Sequence, residues 1–282
     1  MKSRYCFWWV LLSWQWLNLF NMRCTDYMNS RKISLRLFLT LLLLAVSQTS
    51  LAATVLVAVA ANFSKPMTEI AAEFEKATGH SAHLSFGSSG KFVSQLENGG
   101  PFEVLLSADE KGPQKLEQDG FTVPNSRFVY ALGRLVLWSA EPGYVDDQGK
   151  ILITGGFKHL ALADPKLAPY GAAAVEVLKK KGLLEKLQPL FVQGENIAQT
   201  YQFISTANAE LGFIALSQVI ENGKIATGSG WIIPDNDHAP IRQGAVLMKQ
   251  GAENPAAPAL LNYLKSAPAL TIIKKYGYDL PQ

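Results

Sequence analysis

The sequence predicts an α/β protein with two lobes and a ligand cleft between them. Apolar strand segments alternate with amphipathic helices from residue 55 to residue 108, and a second strand–turn–helix unit follows at residues 159–181. Strands that alternate with helices form parallel sheets, whose carboxyl ends lie at one edge. Ligands of open α/β sheets bind at that edge, and clefts between lobes are favoured sites.

Residues 28–53 have the pattern of a secretory signal peptide. A basic segment, Asn29 to Arg36, precedes an apolar run from Leu37 to Val46, and small residues suited to cleavage follow. The apolar run is short for a membrane span. We interpret residues 1–27 as an upstream extension, with translation starting at Met28, and we expect export to the periplasm.

Removal of residues 1–53 changes the charge and the cysteine content. The full chain has 282 residues and a formal net charge of +3, whereas the remainder carries −2 and lacks both cysteines, Cys6 and Cys24. The mature chain therefore has no disulfide and no thiol nucleophile. It also lacks the basic excess that nucleic-acid or membrane-surface binding requires. We expect a monomer stabilised by its apolar core.

The first half of the mature chain shows the alternation most clearly. Met67, Ile70 and Phe74 recur at helical spacing, and Gly79 suits the residue after a helix. The predicted elements are strand 55–61, helix 67–78, strand 84–86, helix 91–98, strand 104–108, helix 112–120 and an extended run over 126–138.

The second half repeats this architecture after a turn-rich segment at 146–156. The predicted elements are strand 159–163, helix 172–181, helix 183–187, an extended segment at 190–193, helix 197–206, strand 210–216, a strand with its hairpin at 223–233, strand 243–248 and helices 255–266 and 268–276. We assign residues 54–131 and 243–282 to lobe I and residues 132–242 to lobe II.

The turns after the strands carry small and hydroxyl residues. Asn62, Ser64, Ser88 and Ser89 suit helix-capping positions. The first N–H groups of a helix have no partner within it, and helix N-termini favour anions. The turns therefore predict an anion site made of neutral donors.

Six separated motifs carry a family resemblance: Ala58–Phe63, Phe86–Lys91, Leu106–Asp109, Ala163–Gly171, Gly194–Ile197 and Leu211–Ile214. In order and spacing they resemble the periplasmic molybdate-binding proteins of ABC importers, over essentially the whole mature chain. The resemblance implies a two-lobed type II periplasmic-binding-protein fold. It also implies capture of molybdate or tungstate as the oxyanion, without a cofactor, and delivery to a permease and ATPase complex in the inner membrane.

The resemblance also implies which residues contact the oxyanion. These are Asn62 through its side chain and N–H, Ser89 through its hydroxyl and N–H, and Tyr170 and Ile197 through their N–H groups, with Ala61 and Ser88 as secondary candidates. Many family members have a further tyrosine contact where this chain has Ala215. Either that contact is lost or the Tyr170 hydroxyl replaces it.

Other functions remain as alternatives. Sulfate is a tetrahedral oxyanion that the same donors would bind. The size of the cavity decides between sulfate and molybdate. A tetrapyrrole-forming deaminase shares the two-lobed fold but needs a cysteine, and a serine hydrolase needs a nucleophile elbow that Gly87–Gly90 lacks. The effector-sensing half of a transcription regulator needs a cytosolic location.

The four histidines have no metal-ligand spacing, so we predict no cation site and no catalysis.

Overall fold

Two five-stranded sheets form the framework of residues 52–281, the part of the chain that the computed structural model describes. The predicted signal peptide and upstream extension lie outside these residues, apart from Ala52 and Ala53. Elements built on the first sheet are called the first lobe below, and those built on the second sheet the second lobe. The boundaries assigned to lobes I and II from the sequence stay a prediction.

The first sheet has the strand order β2-β1-β3-β12-β4. Its strands are β1 (Thr54–Ala60), β2 (Ser81–Gly87), β3 (Val104–Leu106), β4 (Phe128–Gly133) and β12 (Ile241–Leu247). β1 pairs in parallel with β2 and β3, as predicted, whereas β12 is antiparallel to β3 and β4. The parallel arrangement therefore ends at β3, because β12 enters from the other lobe rather than through a crossover helix.

The second sheet has the order β11-β5-β8-β6-β7. Its strands are β5 (Leu135–Ser139), β6 (Leu160–Ala163), β7 (Phe191–Gly194), β8 (Leu211–Ala215) and β11 (Ser229–Ile232). β6 is parallel to β7 and β8, whereas β5 and β11 are antiparallel to their neighbours. A separate hairpin consists of β9 (Ile220–Glu221) and β10 (Lys224–Ile225).

Helices follow most of the strands. They are α1 (Ser64–Thr78), α2 (Ser89–Glu97), α3 (Lys111–Gln118), α4 (Ile151–Thr154), α5 (Pro169–Lys180), α6 (Leu184–Leu187), α7 (Ile197–Ser205), α8 (Ala256–Tyr263) and α9 (Ala267–Lys275). Within residues 52–281, no helix has the length and apolarity needed to cross a membrane.

The predicted extended run over 126–138 divides between the two sheets. β4 ends at Gly133 and β5 begins at Leu135, so Arg134 lies where the chain crosses from the first lobe to the second. The chain returns between β11 and β12, over residues 233–240. The strand pattern is the same on both sides of Arg134, so local periodicity alone does not mark the residue at which the sheet changes.

Each sheet covers its own apolar core, and the second core extends across the cleft. Phe63, Ile70 and Phe74 are fully buried under the first sheet, and burial of such a side chain contributes about 1.5–3 kcal/mol. Ala61 and Ala108 of the first lobe instead join the core of the second lobe. The two lobes are thus in direct apolar contact, as in a closed cleft.

Candidate functional site

A small cavity lies between the lobes, at the ends of strands from both sheets. It is narrow, with a volume of about 10 Å³ for a water-sized sphere, and is lined by Ala60, Ala61, Asn62, Gly87, Ser88, Ser89, Ala108, Ala168, Pro169, Tyr170, Asn196 and Ile197. The structure thus brings together every site residue predicted from the sequence: Ala61, Asn62, Ser88, Ser89, Tyr170 and Ile197. Pockets for drug-sized ligands are far larger, about 300–1,000 Å³, so this cavity does not admit a ligand of that size.

Four of the lining residues, Asn62, Ser89, Tyr170 and Ile197, lie at helix starts. Ser89 and Ile197 are the first residues of α2 and α7, Tyr170 is the second residue of α5, and Asn62 is the second residue of a 3₁₀ turn, Ala61–Phe63. In the part of the chain that the structure describes, none of their four backbone N–H groups donates to another protein group. Each helix start also contributes a partial positive charge, which favours an anion.

Local sequence explains how two of these donors stay available. The Asn196 side chain caps α7 by accepting from the N–H groups of Ala198 (3.0 Å) and Gln199 (3.1 Å), which leaves the N–H of Ile197 without a partner. At α5, a Cβ atom on Gly171 would lie 2.0 Å from the carbonyl oxygen of Ala163. Glycine therefore lets this helix begin directly against the end of β6, which places Tyr170 at the cavity.

The Ser89 hydroxyl supplies a further donor. Its oxygen accepts a hydrogen bond of 2.9 Å from the N–H of Ala108, and the side chain is buried. The hydroxyl proton is not used in that bond, so Ser89 can donate it to an anion in the cavity. Ser89 thus offers two donors, its N–H and its O–H, as the sequence predicts.

Ser88 has a different role from the predicted one of helix cap. It occupies the N-cap position of α2 but makes no capping hydrogen bond. Its hydroxyl donates instead to the carbonyl oxygen of Leu167 in the second lobe, at 2.6 Å. The prediction that Asn62 and Ser64 cap a helix is also wrong. The N-cap residue of α1 is Phe63, whereas Ser64 is the first residue of that helix and Asn62 lies in the 3₁₀ turn before it. The partner of the Ser88 hydroxyl thus lies in the other lobe, and the sequence around Ser88 does not indicate it.

The Asn62 side chain points to a buried network. Its Nδ2 donates to Gln243 Oε1 at 2.9 Å and to the Tyr278 hydroxyl at 3.0 Å. Both amide protons are thus used within the protein, and the backbone N–H is the donor that Asn62 has left for the cavity. The sequence did not predict Gln243 or Tyr278 at this site; the one signal for Gln243 is an uncharged polar residue in a buried strand.

The Tyr170 hydroxyl is also held in this network. It accepts from Gln243 Nε2 at 3.1 Å, and burial raises the pKa of Tyr170 well above the ordinary value for a phenol. Ala215 is fully buried, and its N–H donates to Gln218 Oε1 at 3.0 Å. The Tyr170 hydroxyl thus lies against Gln243 in the buried network, and its replacement of the tyrosine contact missing at Ala215 stays a prediction.

No charged side chain is among the residues that line the cavity. The nearby carboxylates have other partners: Asp109 accepts from the Ser107 hydroxyl, Asp164 accepts from the N–H of Lys166, and Glu195 pairs with Lys91 at 2.6 Å. Within residues 52–281, no group of three His, Cys, Asp or Glu side chains could hold a metal ion. The site is a neutral set of hydrogen-bond donors.

Residues 55–279 match the family model of the bacterial extracellular solute-binding proteins. The chain belongs to this family. This solute-binding protein is 58% identical over 229 residues to the molybdate-binding protein of Azotobacter vinelandii, covering 81% of this chain and 91% of that one. It is 51% identical over 237 residues to the molybdate-binding protein of Rhodobacter capsulatus, covering 84% and 92%.

The structural comparison confirms the predicted two-lobed periplasmic-binding fold. The solved periplasmic molybdate-binding protein of Azotobacter vinelandii superposes with a TM-score of 0.78 at 44% identity, covering 81% of this chain and 100% of that one. The sulfate-binding protein of Mycobacterium tuberculosis superposes with a TM-score of 0.63 at 12% identity, covering 81% and 87%, and shows the shared fold alone. The resemblance to molybdate-binding proteins is thus confirmed for this solute-binding protein.

Proposed function

We propose that this protein captures molybdate or tungstate in the periplasm and delivers it to an ABC importer. The observation that carries the proposal is the set of four unpaired helix-start N–H groups, with the Ser89 hydroxyl, around a neutral cavity. The two relatives at 58% and 51% identity are named as molybdate-binding proteins, which supports this choice of anion.

The chemistry of the donors favours a fully deprotonated oxyanion. Molybdate, tungstate and sulfate have only acceptor oxygens at neutral pH, whereas a phosphate that keeps a proton also needs an acceptor on the protein. No carboxylate lines the cavity. A hydrogen bond to an ionised group is roughly twice as strong as a neutral one, so several converging donors hold a dianion without a lysine or arginine.

Binding rather than catalysis is the proposed role of the cavity. The lining contains no histidine, cysteine or carboxylate that could act as a general base or a nucleophile. Neither serine hydroxyl in the lining is paired with a base: that of Ser88 donates to the carbonyl oxygen of Leu167, and that of Ser89 accepts from the N–H of Ala108. We propose that no cofactor takes part in this role. We also propose that the protein is a monomer and that it passes its ligand to a permease.

Isothermal titration calorimetry of residues 53–282 with molybdate, tungstate, sulfate and phosphate tests this function. We expect tight one-to-one binding of molybdate and tungstate, with no heat from the other two anions. Binding of sulfate alone would keep the mechanism and change the transported ion. Binding of none of the four would contradict the proposal.

A further inference from the structure

A buried amide, that of Gln243, contacts both halves of the anion site. Its Oε1 accepts from Asn62 Nδ2 and from the Tyr130 hydroxyl, both at 2.9 Å, and its Nε2 donates to the Tyr170 hydroxyl at 3.1 Å. Gln243 is 0% exposed, and the other three side chains are at most 3% exposed. One side chain therefore joins Asn62, in the first lobe, to Tyr170, in the second.

Asn62 is held on its carbonyl side as well. Its carbonyl oxygen accepts from the Tyr278 hydroxyl at 2.7 Å and from the Ser217 hydroxyl at 2.8 Å. Tyr278 follows α9 in the first lobe, and Ser217 follows β8 in the second. The orientation of the residue whose N–H lines the cavity is thus set by groups from both lobes, with Gln243 fixing its side chain.

Gln243 also lies beside the point where the chain crosses between the lobes. It pairs with Ala131 on β4, and the register of β12 shifts between Gln243 and Gly244, as in a β-bulge. Bulges redirect side chains and occur next to binding sites. A Cβ atom on Gly133 would lie 2.2 Å from the Tyr170 hydroxyl and 2.6 Å from Gln243 Nε2, so the network fills the space at the crossing.

We propose that Gln243 is a positioning residue for oxyanion binding. It does not line the cavity. Its hydrogen bonds to Asn62 and Tyr170 hold these two residues so that their N–H groups point at one anion when the cleft is closed. Closure and alignment of the donors are thereby coupled through one amide. This inference rests on the proposed function as an oxyanion receptor.

The substitution Gln243→Met tests this role, since it keeps the length of the side chain and removes its hydrogen bonds. We expect the dissociation constant for molybdate to rise about tenfold or more, because three buried polar groups lose a partner. Gln250→Met is the matched control. Gln250 is exposed and donates to the carbonyl oxygens of Gly100 and Phe102, away from the cavity. Both variants are produced from the full chain and titrated calorimetrically.

A second substitution, Gln243→Glu, separates positioning from a general loss of stability. When protonated, the carboxyl group accepts and donates as the amide does; when ionised, it has no proton for Tyr170. Burial raises the pKa of an introduced carboxyl group. We expect this variant to bind molybdate nearly as well as the wild type at acidic pH and to lose affinity, relative to the wild type, as the pH rises.

The outcomes are distinct. A dissociation constant for Gln243→Met within twofold of the wild-type value overturns the inference, as does a constant ratio of Gln243→Glu to wild-type affinity at all pH values. If the methionine variant does not fold, the pH profile of the glutamate variant decides. If the wild type binds no oxyanion at all, the proposed function fails instead.

Discussion

The hydroxyl of Ser88 and the carbonyl oxygen of Leu167 are joined across the cleft by a hydrogen bond of 2.6 Å. The same carbonyl accepts from the N–H of Gly90 at 3.0 Å. Ser88 and Gly90 flank Ser89, which offers its own N–H and hydroxyl to the cavity. The start of α2 therefore both lines the anion site and fastens the two lobes together.

Ser88→Ala removes a bond that joins the two lobes across the cleft. We expect dissociation of molybdate to become several-fold faster, with little change in the association rate, because a typical hydrogen bond contributes about 0.5–1.5 kcal/mol. Stopped-flow fluorescence measures both rates. Ser94→Ala, at an exposed position of the same helix, is the control. A slower association with unchanged dissociation would contradict the assignment.

Ser89→Ala removes a donor and leaves the N–H of Ala108 without its acceptor. We expect the affinity for molybdate to fall by roughly 1–3 kcal/mol, the cost of leaving a buried polar group unsatisfied. Titration calorimetry of this variant beside Ser94→Ala measures the difference. Equal affinities for the two variants would place the anion elsewhere.

The ion pair between Lys91 and Glu195 spans the outer edge of the cleft at 2.6 Å, with 46% of each side chain exposed. Exposed pairs contribute only about 0.2–1 kcal/mol. A double-mutant cycle with Lys91→Ala and Glu195→Ala should therefore give a small coupling energy for molybdate binding, which decreases as salt is added. A coupling energy that does not change with salt concentration would contradict the interpretation of Lys91 and Glu195 as a solvent-screened ion pair.

The buried tyrosines predict how stability changes at alkaline pH. Burial raises the pKa of Tyr278 from the ordinary value of 10 to about 12, and it raises the pKa values of Tyr130 and Tyr170 well above the ordinary value. Above pH 10 these phenols ionise in the unfolded chain but stay protonated in the folded one. The unfolded state then binds fewer protons, so the free energy of unfolding decreases as pH rises.

Urea unfolding at a series of pH values tests this expectation. The free energy of unfolding should fall between about pH 10 and pH 12, and Tyr278→Phe should make the fall less steep, since one of the shifted groups is gone. Tyrosinate absorbance reports the ionisation directly. Ionisation of every tyrosine near pH 10 without unfolding would show that these hydroxyls are accessible to water.

The sequence predicts the turns that line the cavity better than it predicts the contacts around them. Strand ends and helix starts follow from local periodicity and small turn residues, so the turns at Ser89, Tyr170 and Ile197 are recognisable in the sequence itself. The partners of Ser88 and Gln243 are not, because Leu167 and Tyr170 lie far away along the chain and local patterns contain no information about them. The boundary that we assign between residues 131 and 132 falls within the extended run over 126–138, but local periodicity does not mark Arg134 as the residue at which the sheet changes.

The place of β12 in the first sheet also determines the order in which the two lobes can be completed. β12 pairs with β3 and β4, yet the whole second sheet lies between β4 and β12 in the chain. A chain that emerges from its amino terminus therefore supplies every strand of the second sheet before the first sheet receives its last one. The lobe that begins first is therefore finished last, and its last strand must pair over a long sequence separation, a kind of contact that generally slows folding.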